Sequence, residues 1–246
     1  MKTYLQLCQA VCRECSIAAG ESAITTVANQ SGQLQRVTAA VRDEWTRIQN
    51  LHTDSGLLWR FLRSEFTLLA ETGVDTYASG ASQVKDTVAG TPGATITRFR
   101  KWLIANYDNP PKSYKTSAGK GTEGFLTFLA WNDFKYIYDI GTQNPGPPAH
   151  ITINPQNKLV IGPVPDSNYT ITGDYIKSAQ LLVLDDDEPD MPVDMEDVIV
   201  WKAVSRTGLQ KNAGELITLG EDNYAHYLGQ LESDQLSEIP IASPMA

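Results

Sequence analysis

The sequence predicts an α+β protein, a helical bundle built from both termini with an antiparallel β domain, sandwich or meander, inserted between them. Three observations predict it. Near each end apolar residues recur at spacings of three and four, as in Leu34, Val37, Val41, Trp45 and Ile48, and again in Met195, Val198, Ile199, Ala203 and Val204. Between these segments β-favouring residues alternate, as in Tyr169, Ile171, Gly173 and Tyr175. At Asp185-Asp186-Asp187-Glu188 the β pattern stops, and Pro192 then stands at a first-turn position of the next helix, where its missing N–H costs little.

In chain order, Leu5, Cys8, Val11, Cys12 and Cys15 mark a first helix with Thr3 as its N-cap and an end near Gly20. The second helix stops near Leu51, and residues 1–56 form the N-terminal part of the helical domain. From Trp59 to Leu68 a period of two sets in. Residues 71–93 read as a loop or sheet edge with one weak strand, 96–107 and 113–116 as strands, and 119–124 as a glycine-rich loop. Trp131, Phe134, Ile137 and Tyr138 predict a short helix closed by Gly141. A hairpin follows, with Ile151 and Ile153 on one arm, Leu159 to Ile161 on the other, and Tyr169 to Tyr175 continuing it as a meander. This inserted β domain spans 57–186. Residues 187–236 supply two closing helices, the last with Leu216, Ile217, Tyr224, Leu228 and Leu231 as its seam, interrupted by Gly220, and 237–246 form a flexible tail.

A chain of 246 residues that is 41% hydrophobic can bury proper cores, so disorder is excluded as the general state. Twenty basic residues against twenty-nine acidic ones argue against a surface built to grip phosphate. No apolar run approaches the about 18 residues of a membrane span. The first residues lack a secretory h-region, which predicts synthesis in a cytoplasm. Three cysteines within the first fifteen residues cannot form a secreted-type disulfide framework.

Candidate chemistry is sparse. Cys8, Cys12 and Cys15 have the spacing of iron–sulfur ligands in radical SAM enzymes, but Glu14 occupies a place where that family carries an aromatic residue, and no βα alternation is present. They read as packing residues on one helix face. His52, His150 and His226 have no ligand-spaced neighbours. The run Asp185 to Glu188 lacks the alternation and central glycine of an EF-hand loop and reads as a solvated turn near a helix N-terminus. Gly119, Gly121 and Gly124 do not make a P-loop, and no G-x-S-x-G string exists. No catalytic, cofactor-binding or metal-binding residue is assigned, and the chain is not expected to be an enzyme.

One ordered set of short strings carries more information. It runs Leu51-His52, Trp59-Arg60-Phe61-Leu62-Arg63, Leu159-Val160-Ile161-Gly162-Pro163 with Pro165, Gly173-Asp174-Tyr175, Asp187-Glu188-Pro189 with Met191-Pro192, Ile199-Val200-Trp201-Lys202-Ala203 and Asp234-Gln235-Leu236. In this order the chain resembles the adaptor, or head-to-tail connector, proteins of tailed bacteriophages, most strongly from Leu159 to Leu236, while residues 71–124 depart in length and content. The resemblance implies a structural virion protein in the neck, made in the host cytoplasm. It implies a homo-oligomeric ring of about twelve copies below the portal, which extends the DNA channel and offers a docking platform to the next tail or nozzle protein. Genomic DNA would pass through without sequence-specific contact, no membrane is involved, and no cofactor is implied. Candidate interface residues are Trp201 and Lys202 on the fourth helix and Ile239 and Ile241 in the tail. A β module for receptor or carbohydrate binding on a virion is the alternative, drawn from Trp102, Tyr107, Tyr114, Trp131, Tyr136 and Tyr138.

Overall fold

The computed structural model describes residues 1–17, 24–51, 58–87, 93–105 and 109–236. Among these, five α-helices and two sheets give a mixed α+β protein whose strand pairs are antiparallel with one exception. The chain divides into two compact units, Met1–Leu62 with Ala179–Ala246, and Arg63–Ser178. The changeovers fall at 62/63 and 178/179, where the sequence pattern placed them at 56/57 and 186/187.

Helix α1 (Tyr4–Glu14) begins with a reciprocal cap. Gln6 N–H donates to Thr3 Oγ1 at 3.3 Å, while Thr3 N–H donates to Gln6 Oε1 at 2.9 Å. The helix ends well before Gly20, because Ser16 takes a left-handed φ of 48°; Ala18 to Gly20 lie outside the described residues. Helix α2 (Gly32–Asn50) buries Val37, Val41, Trp45 and Ile48.

The expected strand from Trp59 starts later. Arg60–Leu62 is a 3-10 turn, Trp59 donates its indole N–H to Ile48 O at 2.7 Å, and Phe61 stacks on Trp45 and Trp59 at 5.9 and 5.8 Å. Aromatic packing on α2 produced an alternation that imitated a strand. Beyond the β segment, Gln180 N–H donates to Gln49 Oε1 at 2.7 Å, which ties that stretch of chain to α2 as well.

Helix α4 (Asp197–Lys211) follows a separate 3-10 turn at Val193–Met195, so the single helix expected from Pro192 is two elements. Asn212, left-handed at φ 54°, then turns the chain into α5 (Gly214–Gln235). These helices approach through glycines. A Cβ on Gly220 would lie 2.6 Å from Ser205 N and 2.8 Å from its Cα, and one on Gly208 would lie 3.0 Å from Ile217 N. Gly220 is therefore a point of close approach between α4 and α5 and not a gap in a seam. Of the predicted seam residues only Leu231 is fully buried, because backbone has taken the place that bulky side chains were expected to fill.

In the β unit, β1 (Arg63–Ala70) pairs along its whole length with β11 (Tyr169–Ile176), from Arg63 opposite Ile176 to Ala70 opposite Tyr169. Around this pair stand β3 (Val84–Asp86), β4 (Ala94–Thr95), β6 (Lys112–Lys115) and β7 (Gly124–Phe125), in the order β4-β3-β1-β11-β6-β7, with β5 (Lys101–Leu103) also on β11. The second sheet runs β2-β10-β9-β8, made of Thr76–Tyr77, Leu159–Gly162, His150–Ile153 and Thr127–Phe128, and its β8–β9 pair is the parallel one.

The 151–161 hairpin forms as predicted, but the meander does not. β10 and β11 belong to different sheets, because β11 finds its longest partner in β1, a hundred residues away in sequence. Among the described residues of the strand expected over 96–107, only Lys101–Leu103 forms a strand, while Ile96 and Ile104 are buried in the core. The described residues of the segment 71–93 contribute two short strands, one to each sheet. Phe66, Leu68 and Ile171 from one sheet and Tyr77, Ile151, Leu159 and Ile161 from the other share a single apolar core with Trp102.

Candidate functional site

Of the candidate interface residues, Trp201 and Lys202 lie on α4. Residues with buried side chains, Val200, Ala203 and Val204, flank Trp201 and Lys202, which are themselves half-buried. Lys202 is not a free cation. Its Nζ reaches Glu221 Oε1 and Oε2 at 2.9 and 3.0 Å and stands 4.4 Å from the ring centre of Tyr224. Ser205 Oγ donates to the same carboxylate at 2.5 Å. The Ser205 hydrogen bond, followed by Lys202, holds the Glu221 carboxyl below its ordinary pKa. Ile239 and Ile241 lie outside the described residues.

One helical turn further along α4, Arg206 reaches α2, donating to Asp43 Oδ2 at 2.9 Å and Glu44 Oε1 at 3.0 Å. Glu44 is buried, so its charge requires this partner. Together Asp43, Glu44, Arg206, Lys202 and Glu221 line an open groove of about 590 Å³ over α4. Sequence reasoning named Lys202 but missed Arg206, four residues on and on the same helix face, and nothing local joins it to carboxylates at 43 and 44.

The acidic turn is also more than a solvated loop. Asp185 Oδ1 accepts from Val27 N–H at 2.5 Å and from Thr26 Oγ1 at 3.2 Å. Asp187 Oδ2 accepts from Val183 and Leu184 N–H at 2.6 and 2.8 Å, and its carbonyl accepts Tyr4 N–H at 2.7 Å. These carboxylates satisfy backbone donors of their own unit, and they hold Leu181, Val183 and Leu184 in an exposed segment. Among the described residues no three His, Cys, Asp or Glu side chains come together as a metal site.

Cys8, Cys12 and Cys15 are all buried, and desolvation pushes each thiol above its ordinary pKa, to about 11 for Cys15. In the β unit, His150 Nδ1 meets Tyr138 Oη at 2.7 Å, and in the helical unit His226 Nε2 meets Gln230 at 3.0 Å; His52 lies outside the described residues. The Gly119–Gly124 segment holds an exposed 3-10 turn at Lys120–Thr122 instead of a loop throughout.

The aromatic set divides. Trp102 is core, edge-on to Phe66 at 4.9 Å, with its N–H on Asn157 O at 3.0 Å, and so offers no platform. Tyr114, Trp131 and Tyr138 are half-buried, Tyr136 is exposed, and Tyr107 lies outside the described residues. Trp131 opens helix α3 (Trp131–Tyr138), in which Phe134 is buried and Ile137, expected to face inward, is exposed. Compared with known proteins, the chain matches no family model and no curated protein.

Proposed function

We propose that this protein is a head-to-tail adaptor of a tailed bacteriophage. Its helices from both termini form one bundle carrying the β domain as an insertion. About twelve copies assemble as a ring under the portal, in keeping with cyclic symmetry, extend the DNA channel and present a platform to the next tail protein. The observation that carries this reading is the ordered set of strings from Trp59 to Leu236.

Two of those strings, far apart in sequence, meet within the helical unit, which supports reading them as one signature. Arg60 donates to Asp234 O at 2.7 Å and Phe61 N–H to Gln235 Oε1 at 3.1 Å. Charge distribution supports the reading as well. Residues 179–246 carry fourteen acidic residues against three basic ones, a balance that repels phosphate and suits DNA that must slide without adhering.

Trp201 and Lys202 remain the proposed contact region on α4. The test is co-expression with the cognate portal, followed by size-exclusion chromatography and electron microscopy. Ring-shaped complexes are expected, and Trp201→Ala is expected to abolish them while the circular dichroism spectrum is retained. A protein that stays monomeric with its portal, together with particles that join tails without it, overturns the proposal.

A further inference from the structure

Within the β unit, α3 and β10 enclose a cleft of about 180 Å³ that the adaptor reading does not use. Where α3 meets β10, residue 162 is glycine. A Cβ there would lie 2.7 Å from the Tyr138 ring and 2.9 Å from the Phe134 ring, so only glycine lets α3 settle on the strand. Trp131, Phe134 and Tyr138 form one side, and Val160 and Ile161 form the floor. The Trp131 and Phe134 rings are within 9° of parallel, at 6.3 Å between centres, and Tyr138 follows Phe134 at 4.8 Å.

Three polar side chains at the rim are each anchored at one end. Asn154 Oδ1 accepts from Gln156 and Lys158 N–H at 3.0 and 2.9 Å, which leaves its amide N–H groups without a partner among the described residues. Gln143 Nε2 donates to Ile140 O at 2.9 Å and to Ile137 O at 3.4 Å, which leaves Oε1 as an acceptor. Asp75 Oδ1 accepts from Thr76 Oγ1 at 2.9 Å, which leaves Oδ2. One donor and two acceptors thus line the same cleft as the aromatic side chains.

We propose that this cleft binds a single neutral pyranose ring. The C–H face of such a ring packs on the half-buried Trp131, two of its hydroxyls donate to Asp75 and Gln143, and a third accepts from Asn154. Other ligand classes fit less well. Asp139 pairs with Lys135 at 3.5 Å, so Asp75 leaves the rim net negative and unfavourable to phosphates and carboxylates. A wholly apolar ligand would cover the free ends of Asn154, Gln143 and Asp75 without satisfying them. A quaternary ammonium ion is recognised by aromatic faces arranged around it, whereas near-parallel rings provide one wall. The cleft volume of about 180 Å³ is of the size of one sugar ring.

This site stands independently of the adaptor proposal. The experiment is saturation-transfer difference NMR on the full chain with methyl α-D-glucopyranoside, methyl α-D-galactopyranoside, methyl α-D-mannopyranoside and N-acetyl-D-glucosamine, and with choline as the competing class. At least one sugar is expected to receive saturation at its ring C–H protons. Loss of one stacking or hydrogen-bonding partner in Trp131→Ala or Asp75→Asn is expected to weaken binding about tenfold. Gln143→Ala supplies the same reading if Trp131→Ala disturbs α3, and the exposed Tyr136→Ala is expected to bind as the unaltered protein does. Silence of all four sugars, binding of choline alone, or unchanged affinity in the Asp75 and Gln143 variants overturns the proposal.

Discussion

The β unit gathers Phe66, Leu68, Trp102, Leu159 and Tyr175 around one apolar centre, whereas the helical unit brings the Gly220 backbone against Ser205 and ties α2 to α4 through Arg206, Asp43 and Glu44. Their charges differ too. The β unit carries eleven basic and ten acidic residues, and the helical unit nine and nineteen. Both units exclude water from large side chains, and the first is nearly neutral. The second adds close backbone approach and ion pairs to its apolar core, while carrying the whole acidic excess of the chain. A unit with those properties is the one expected to respond to salt, pH and neighbouring copies.

The sharpest way to break the comparison is to remove a large core residue from the β unit. Phe66 is fully buried, lies edge-on to Trp102 and sits over Gly173. Phe66→Ala is expected to cost about 3–5 kcal/mol, read from urea unfolding. A loss below about 1 kcal/mol would show that this core is not what stabilises the unit.

Gly220→Ala tests the other mode. Its added methyl meets backbone atoms of Ser205, which cannot move aside like a side-chain end. A destabilisation of about 1–3 kcal/mol is expected by thermal unfolding, despite alanine's better helix propensity. A stabilised variant would mean that α4 and α5 are not held at this separation.

The smallest effect concerns Glu196, buried at the start of α4, with one carboxylate oxygen accepting Lys2 N–H at 2.7 Å and the other unpartnered. Desolvation raises its pKa above the ordinary 4.5. The folded state then binds the Glu196 proton more tightly than the unfolded state, so this group lowers stability as pH rises from its unfolded pKa through its folded one, and the full penalty applies above both. Glu196→Gln is therefore expected to gain stability relative to the unaltered protein at pH 7, with the gain vanishing below about pH 4. A gain that is independent of pH would reject the assignment.

Legibility in the sequence followed the range of the interaction. The N-cap at Thr3, the α2 face and the hairpin from Ile151 to Ile161 were readable because each depends on residues a few positions apart. Trp59 to Phe61 misled because three-dimensional stacking on α2 imitates the period of a strand. Gly220 misled in the opposite way, since a residue without a side chain looks like a break until its neighbour across the contact is known. Of the candidate interface, Trp201 and Lys202 were legible as the edge of a helical face. Glu221 and Tyr224, which engage Lys202, were not, because they come from the next helix.

By itself, then, the amino-acid sequence determined the helical ends, the β-rich middle, the apolar faces of α1 and α2 and the ordered strings on which the adaptor reading rests, since these depend on local periodicity and residue identity. Only the tertiary structure decided that β11 joins β1 instead of β10, that Asp185 and Asp187 satisfy backbone donors instead of standing in solvent, and that Gly162 lets α3 settle against β10. Each of these was settled between residues distant in sequence or by the space a missing side chain leaves, and no local pattern encodes either.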